Sequence, residues 1–218
     1  MTLAIFDLDG TLLEGDSDYS WGQFLVEKEL VDLSVYQQAN ERFYQQYLAG
    51  NLDIHEYLAF SLAPLVDFSP ADLTQLHKEF MAAKIQPMMQ QKALDLIADH
   101  RQQGHFLLII TATNEFVTGP ISAALGMDHL IAPVPEQING RYTGKITGIP
   151  SFQAGKVTRL NEWLAQTGHT LEGSYFYSDS HNDLPLLELV DHPVAVDADA
   201  KLTQIAKQRQ WPHISLHN

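Results

Sequence analysis

Asp7 and Asp9 stand two positions apart in Asp7-Leu8-Asp9-Gly10-Thr11, directly after the apolar run from Leu3 to Phe6. If the chain turns there, as Gly10 permits, both carboxylates face one cavity. Such a pair can divide nucleophilic attack and proton transfer between its members. Thr111 follows the apolar run 106–110, and Asp179 follows the run 175–178. Asp7, Thr111 and Asp179 therefore each end a predicted hydrophobic strand, and open parallel sheets bind ligands in the crevice outside those ends. A third carboxylate makes such a pocket dense in negative charge. Mg²⁺ is the hard cation that a few carboxylates, water and a substrate phosphate hold best. Structural uses compete with this reading. Aspartates in loops make turns, Lys156 after Gly155 reads equally as a solvated helix residue, and Asp179 or Asp183 would serve as caps of a helix beginning near Asn182.

Placing these groups together requires an alternating framework. After Pro87 the pattern predicts a helix over 93–103 closed by Gly104, a strand over 106–110 and a helix over 115–125. A strand over 130–132, a helix over 156–166, a strand over 175–178, a helix over 184–190 and a strand over 193–196 follow. Ile138-Asn139-Gly140-Arg141-Tyr142 carries an Asn-Gly hairpin signal. Strands alternating with helices imply a parallel sheet covered on both faces. From Ser17 to Lys84 the pattern is helical throughout, with Asp53 and Ser69-Pro70 as N-terminal signals. Its aromatic stripes, including Trp21, Phe24, Phe43, Tyr44 and Tyr47, read as a core of the insert's own.

The chain has 218 residues, 27 acidic against 13 basic, for a net charge of −14, and no cysteine. No disulfide or thiolate chemistry is possible. The acidic surface predicts no nucleic-acid and no membrane partner, since both depend on basic patches. A phosphorylated metabolite is compatible only if the site supplies its own cation. No apolar run reaches the roughly 20 residues that span a bilayer, and Asp7 interrupts any secretory signal. The expected protein is cytoplasmic, a monomer or homodimer.

The order Asp7-x-Asp9-Gly10-Thr11, Thr111, Lys156 and Asp179-Ser180-His181-Asn182-Asp183 resembles the haloacid dehalogenase superfamily of phosphohydrolases, over the whole chain. A helical insert directly after the first motif looks like the small C1-type cap of its phosphoserine-phosphatase-like branch, subfamily IB. The resemblance implies an α/β fold with a Rossmann-like parallel sheet sandwiched by helices (1–15 and 86–218) and a small all-α cap (16–85). It implies a Mg²⁺-dependent phosphomonoesterase in which Asp7 becomes an aspartyl-phosphate and Asp9 is general acid and base. Asp7, the main-chain carbonyl of Asp9 and Asp179 would hold the metal. Thr111, the amide of Ala112, Lys156 and Asn182 would hold phosphate, and Asp183 would orient Lys156 or a metal-bound water. His181 is expected to be a loop residue.

Substrate identity belongs to the cap. Asp16 stands where phosphoserine phosphatases carry a Glu that binds the substrate ammonium, although capping the first insert helix is an equal use of Asp16 or Asp18. Gly50 to Ser61 matches that branch's cap segment except that Ser61 replaces the Arg that binds a substrate carboxylate; Arg42 is a second source of that charge. Ammonium recognition without carboxylate recognition resembles the proteobacterial branch of histidinol-phosphatases. Asp16 with Glu14 would then hold the ammonium of L-histidinol phosphate, and Trp21 or Tyr57 would flank its imidazole. Competing readings are a phosphoserine phosphatase, a phosphotransferase and a non-enzymatic aspartyl-phosphate switch.

Overall fold

The run Leu-Ala-Ile-Phe forms β1 (Leu3–Phe6) and buries all four side chains. An unbroken apolar strand of this kind needs cover on both faces. In the computed structural model, which describes residues 1–217, it receives that cover. The strands β2 (Phe106–Ile110) and β3 (His129–Ile131) follow, then a hairpin of β4 (Val134–Ile138) and β5 (Arg141–Thr147), and then β6 (Tyr175–Ser178), β7 (His192–Val196) and β8 (His213–Ile214). Six of these form one parallel sheet in the order β3-β2-β1-β6-β7-β8. Phe6 is in register with Ile109 on one side and Tyr177 on the other, so Asp7, Thr111 and Asp179 leave the sheet along one edge.

The pleat sorts the core into two layers. Ala4 and Phe6 face α6 (Gln91–Gln102) and α7 (Glu115–Ala124). Leu3 and Ile5 face α8 (Ala154–Thr167), the single turn α9 (Leu184–Leu187) and α10 (Ala200–Arg209). Between β1 and α6 the chain is helical, as α1 (Ser17–Glu27), α2 (Leu33–Ala49), α3 (Ile54–Leu62), a 3-10 turn (Ala63–Asp67) and α4 (Pro70–Phe80). A π turn (Met81–Ile85) and the short α5 (Gln86–Met88) lead back to the sheet. Asp53 caps α3, and Ser69 with Asp72 forms a capping box ahead of Pro70 at the start of α4. No helix of the described residues is long and apolar enough to cross a membrane.

Three details differ from the sequence pattern. α1 stops at Glu27, short of Leu30, because Glu29 takes a positive φ of 57° and turns the chain. The helix expected over 184–190 closes after one turn. Beyond the predicted strand at 193–196 the chain adds α10, capped by Asp199, and β8 at the sheet edge. At the hairpin, Asn139 (φ 54°) and Gly140 (φ 75°) take the left-handed pair of a two-residue turn, as the Asn-Gly signal demands.

Candidate active site

β1 delivers Asp7 to the sheet's C-terminal edge, where its N–H donates to the Tyr177 carbonyl (2.9 Å) and the residue is only 3% exposed. Lys156, from the first turn of α8, approaches Asp7 Oδ1 to 2.9 Å and the Asp183 carboxylate to 2.8 Å. Asp183 also accepts from Ser178 Oγ at 2.7 Å. Burial alone would lower the Lys156 ammonium, but Asp183 and Asp7 outweigh it and hold the group above its ordinary range. Burial, opposed by Lys156 and reinforced by Asp183, pushes the Asp7 carboxyl up to about 7. The capping use of Asp183 does not occur: its side chain caps nothing, and Ser180 takes that place.

The turn after Asp7 is fixed from three sides. Gly10 has φ 72°, and a methyl group on it would collide with the Asp179 carboxylate, so only glycine fits. Thr11 Oγ1 donates to Asp179 Oδ1 (3.1 Å) and accepts from the Asp179 N–H (3.0 Å). Asp9 accepts from the Ser17 N–H (2.6 Å) and from Thr113 Oγ1 (2.8 Å). Burial first, and then the nearby Asp16 charge, push the Asp9 carboxyl up to about 7. Thr111 Oγ1 accepts from the Thr113 N–H at 3.1 Å, while Ser151 Oγ donates to the Thr111 carbonyl at 2.6 Å.

Asp7, Asp9, Thr111, Ala112 and Asp179 all line one cavity of about 180 Å³. Its opposite wall comes from the insert: Asp16, Tyr19, Asn40, Tyr44, Tyr47 and Tyr57, with Phe43 among them. The pattern assigns the stripe Phe43, Tyr44 and Tyr47 to the insert's own core; Phe43 is there, 1% exposed against Tyr57 and Phe60, but α2 also turns the stripe toward the cavity. The signal available in the sequence was the phenol oxygen, since a ring with a polar tip suits a wall that is part apolar and part wet. Asp16 caps α1 through the Tyr19 N–H (2.8 Å) and also lines the cavity. Tyr57 lines the cavity and donates its hydroxyl to Asp18 Oδ2 at 2.5 Å.

Four expectations change. Trp21 is 1% exposed and packs against Phe24, His77, Phe80 and Phe116, so it is a core residue that cannot flank a ligand. Glu14 is exposed and outside the cavity, because its N–H is drawn to the Met88 carbonyl where the insert returns to the sheet. Asn182 does not line the cavity: its amide donates to the Tyr47 carbonyl (3.1 Å) and accepts from Gln153 (3.0 Å). Arg42 pairs with Glu56 at 2.9 Å, lies over the Phe43 ring and supplies no charge to the cavity. His181 sits in a 3-10 turn with Nδ1 on Asp199 Oδ2 (2.8 Å).

The cavity thus carries four carboxylates, from Asp7, Asp9, Asp16 and Asp179, and among the described residues no Lys or Arg lines it. Burial and then repulsion from Asp7 and Asp183 hold the Asp179 carboxyl well above its usual range. A divalent cation relieves that repulsion, and oxygen donors are the type a hard cation takes. Among the described residues no three His, Asp or Glu side chains form a ready cluster. The Asp7 and Asp179 carboxylates nonetheless bring oxygen donors to one cavity, which suits a hard divalent cation.

Comparison with known proteins agrees with this geometry. Residues 4–188 match the family model of haloacid dehalogenase-like hydrolases. The chain is similar to a histidinol-phosphatase of Neisseria meningitidis serogroup C, at 47% identity over 96% of each chain. It is also similar to a solved protein of unknown function from Bordetella pertussis Tohama I, with a TM-score of 0.93, 44% identity and full coverage of both chains. A substrate-bound phosphoserine phosphatase shares the fold, with a TM-score of 0.69 at 17% identity over 99% of this chain and 93% of that one. With β1 central in the sheet and its carboxylates gathered at one edge, the chain belongs to the haloacid dehalogenase-like hydrolases.

Proposed function

We propose that this chain is a Mg²⁺-dependent phosphatase for a small, amine-bearing phosphate monoester without a carboxylate, L-histidinol phosphate being the best fit. Residues 16–85 act as its cap over a core formed by 1–15 and 86–218. The observation that carries the chemistry is Lys156, shared between Asp7 and Asp183 behind a cavity into which Asp7, Asp9 and Asp179 all reach. Asp7 attacks phosphorus and forms an aspartyl-phosphate as the ester oxygen leaves. Asp9, held on two hydrogen bonds with its carboxyl pushed up to about 7, is partly protonated near neutral pH, and in that form it gives its proton to the leaving alcohol. The ionised Asp9 then takes a proton from the water that opens the aspartyl-phosphate, releasing inorganic phosphate. Thr111 and Ala112 hold phosphate oxygens, and Lys156, oriented by Asp183, offsets the charge gathered between phosphate and Asp7. Mg²⁺ held by Asp7, Asp179 and the Asp9 carbonyl would supply further neutralisation of phosphate charge.

The cap supports the substrate class. Tyr57 lines the cavity and gives its own proton to Asp18, so it has none to offer a ligand; Asp16 presents a carboxylate. Both select a hydrogen-bond donor. Arg42 is engaged elsewhere, and no cation of the wall would meet a carboxylate. An ammonium beside Asp16 and an azole ring among the tyrosines suit this lining, and the 47% identity to a histidinol-phosphatase points the same way. Phosphate release from L-histidinol phosphate and from phosphoserine, each with and without Mg²⁺, tests the reading. Metal-dependent turnover is expected to be faster with L-histidinol phosphate, and faster turnover of phosphoserine would overturn the substrate assignment.

A further inference from the structure

Gln153 stands where the cap meets the core. Its backbone is at φ 48° and ψ −123°, a region that strains any residue with a side chain, and α8 starts at the next residue. Its side chain spans the cleft: Nε2 donates to the Gly50 carbonyl at 3.3 Å and to Asn182 Oδ1 at 3.0 Å. Asn182 in turn donates to the Tyr47 carbonyl at 3.1 Å. Tyr47 and Gly50 are the C-terminal end of α2, where a helix runs out of its own donors for its last carbonyls. Water or the following turn ordinarily meets that need. Here the Gly50 N–H supplies one donor to the Tyr47 carbonyl (3.0 Å), and two amide side chains add to it, Gln153 from the start of α8 and Asn182 from the 3-10 turn of Asp183.

The surroundings are built around this contact. Gly50 has φ 75°, and a Cβ there would press against His181 Nε2, so the core touches the helix end directly. His181 is in turn oriented by Asp199. The Tyr47 ring lies 6.2 Å from that of Phe152, the residue preceding Gln153, and its other surroundings include Asp179 and Asp7. The helix end gripped in this way belongs to α2, which carries Asn40, Tyr44 and Tyr47 into the cavity wall.

We propose that Gln153 is a positioning residue that caps the end of α2 across the cleft, directly at Gly50 and through Asn182 at Tyr47, and so holds the tyrosine wall over the substrate. The inference rests on the phosphatase reading of the same site and adds a residue that touches neither phosphate nor metal. It explains why a glutamine keeps a backbone conformation suited to glycine: the side chain is needed there.

Three variants test it in the full-length protein. Q153G removes the amide and relieves the backbone, Q153A removes the amide alone, and Q153E keeps the size but turns a donor into acceptors facing Gly50 and Asn182. Each is expected to raise KM for L-histidinol phosphate about tenfold, the effect of two lost hydrogen bonds, with kcat changed less than about twofold. KM for acetyl phosphate, whose acyl group offers the cap neither amine nor ring, is expected to stay within about twofold. Q153G is expected to melt above Q153A, and amide exchange over residues 47–51 to accelerate in all three. Equal losses on both substrates, or exchange unchanged at the end of α2, would overturn the proposal. If the wild type hydrolyses neither ester, the phosphatase reading fails alone where exchange accelerates, and the clasp fails with it where exchange does not.

Discussion

The floor and the cap-side wall of the cavity are built on different principles. On the floor, polar atoms meet partners far away in the chain: Asp7 and Lys156 are 149 positions apart, Asp9 and Thr113 104, Thr11 and Asp179 168. In the cap, Ser17 Oγ, Asp18 Oδ1, Trp21 Nε1 and Ser61 Oγ are buried without a hydrogen-bond partner, and the face toward the cavity is mostly rings. A mesh of mutually held charges fixes where charge can develop on a transferring phosphoryl group. A wall of rings with few bonds fixes a shape instead. On the proposed function, chemistry and selection are then carried by separate stretches of chain, and each is expected to fail without the other.

The largest expected effect is on the floor. Asp7→Asn should lower turnover of L-histidinol phosphate and acetyl phosphate alike, by on the order of 10⁴-fold or more in a phosphate-release assay. The metal-free variant should melt no lower than the parent, because one charge has left a mutually repelling cluster. A variant with parental rates would remove Asp7 from the chemistry. On the wall, Asp16→Asn should raise KM for the amine-bearing ester by roughly 10- to 100-fold, with a much smaller change for acetyl phosphate. Equal losses on the two esters would move Asp16 from selection to chemistry.

A third effect concerns stability, leaves turnover aside, and lies behind the wall. Burial, opposed by Tyr57, pushes the Asp18 carboxyl up to about 7. A carboxyl raised on folding keeps its proton where the unfolded chain has lost it, so its stabilising share is full below about pH 4 and disappears as pH climbs through about 7. The amide introduced by Asp18→Asn does not titrate. The advantage of this variant over the parent in urea unfolding should therefore grow by about 2–3 kcal/mol between pH 5 and pH 8. A flat difference would show that the buried carboxyl is ionised throughout.

The sheet and the edge that carries Asp7, Thr111 and Asp179 were legible because their signals are local. A fully apolar strand followed at once by Asp or Thr marks both the element and the end that carries function, and the register of Phe6 with Ile109 and Tyr177 brings three such ends level. The cavity wall was less legible. Helical periodicity says that Phe43, Tyr44 and Tyr47 share a face but not whether that face meets the insert or the cleft, and Trp21, the largest ring of the set, went inward. Asn182 was misplaced for a similar reason: its motif marks the site, while its partners, Tyr47 and Gln153, are set by how the cap settles on the core. α10 and β8 offer weak patterns, one burying only Leu202 and Ala206 and the other only two residues long.

The hairpin of β4 and β5 belongs to the core by sequence, yet it packs against α3 and the 3-10 turn of the cap, with Gly144 beside Val66. The helical roof therefore stands on a bracket apart from its two covalent crossings. Chimeras that graft a relative's roof onto this hydrolase would need to bring residues 134–147 along with 16–85. Grafts that leave the bracket behind would seat the new roof on a support shaped for the old one, and the tilt of that roof, as much as its residues, would decide which alcohols the enzyme accepts.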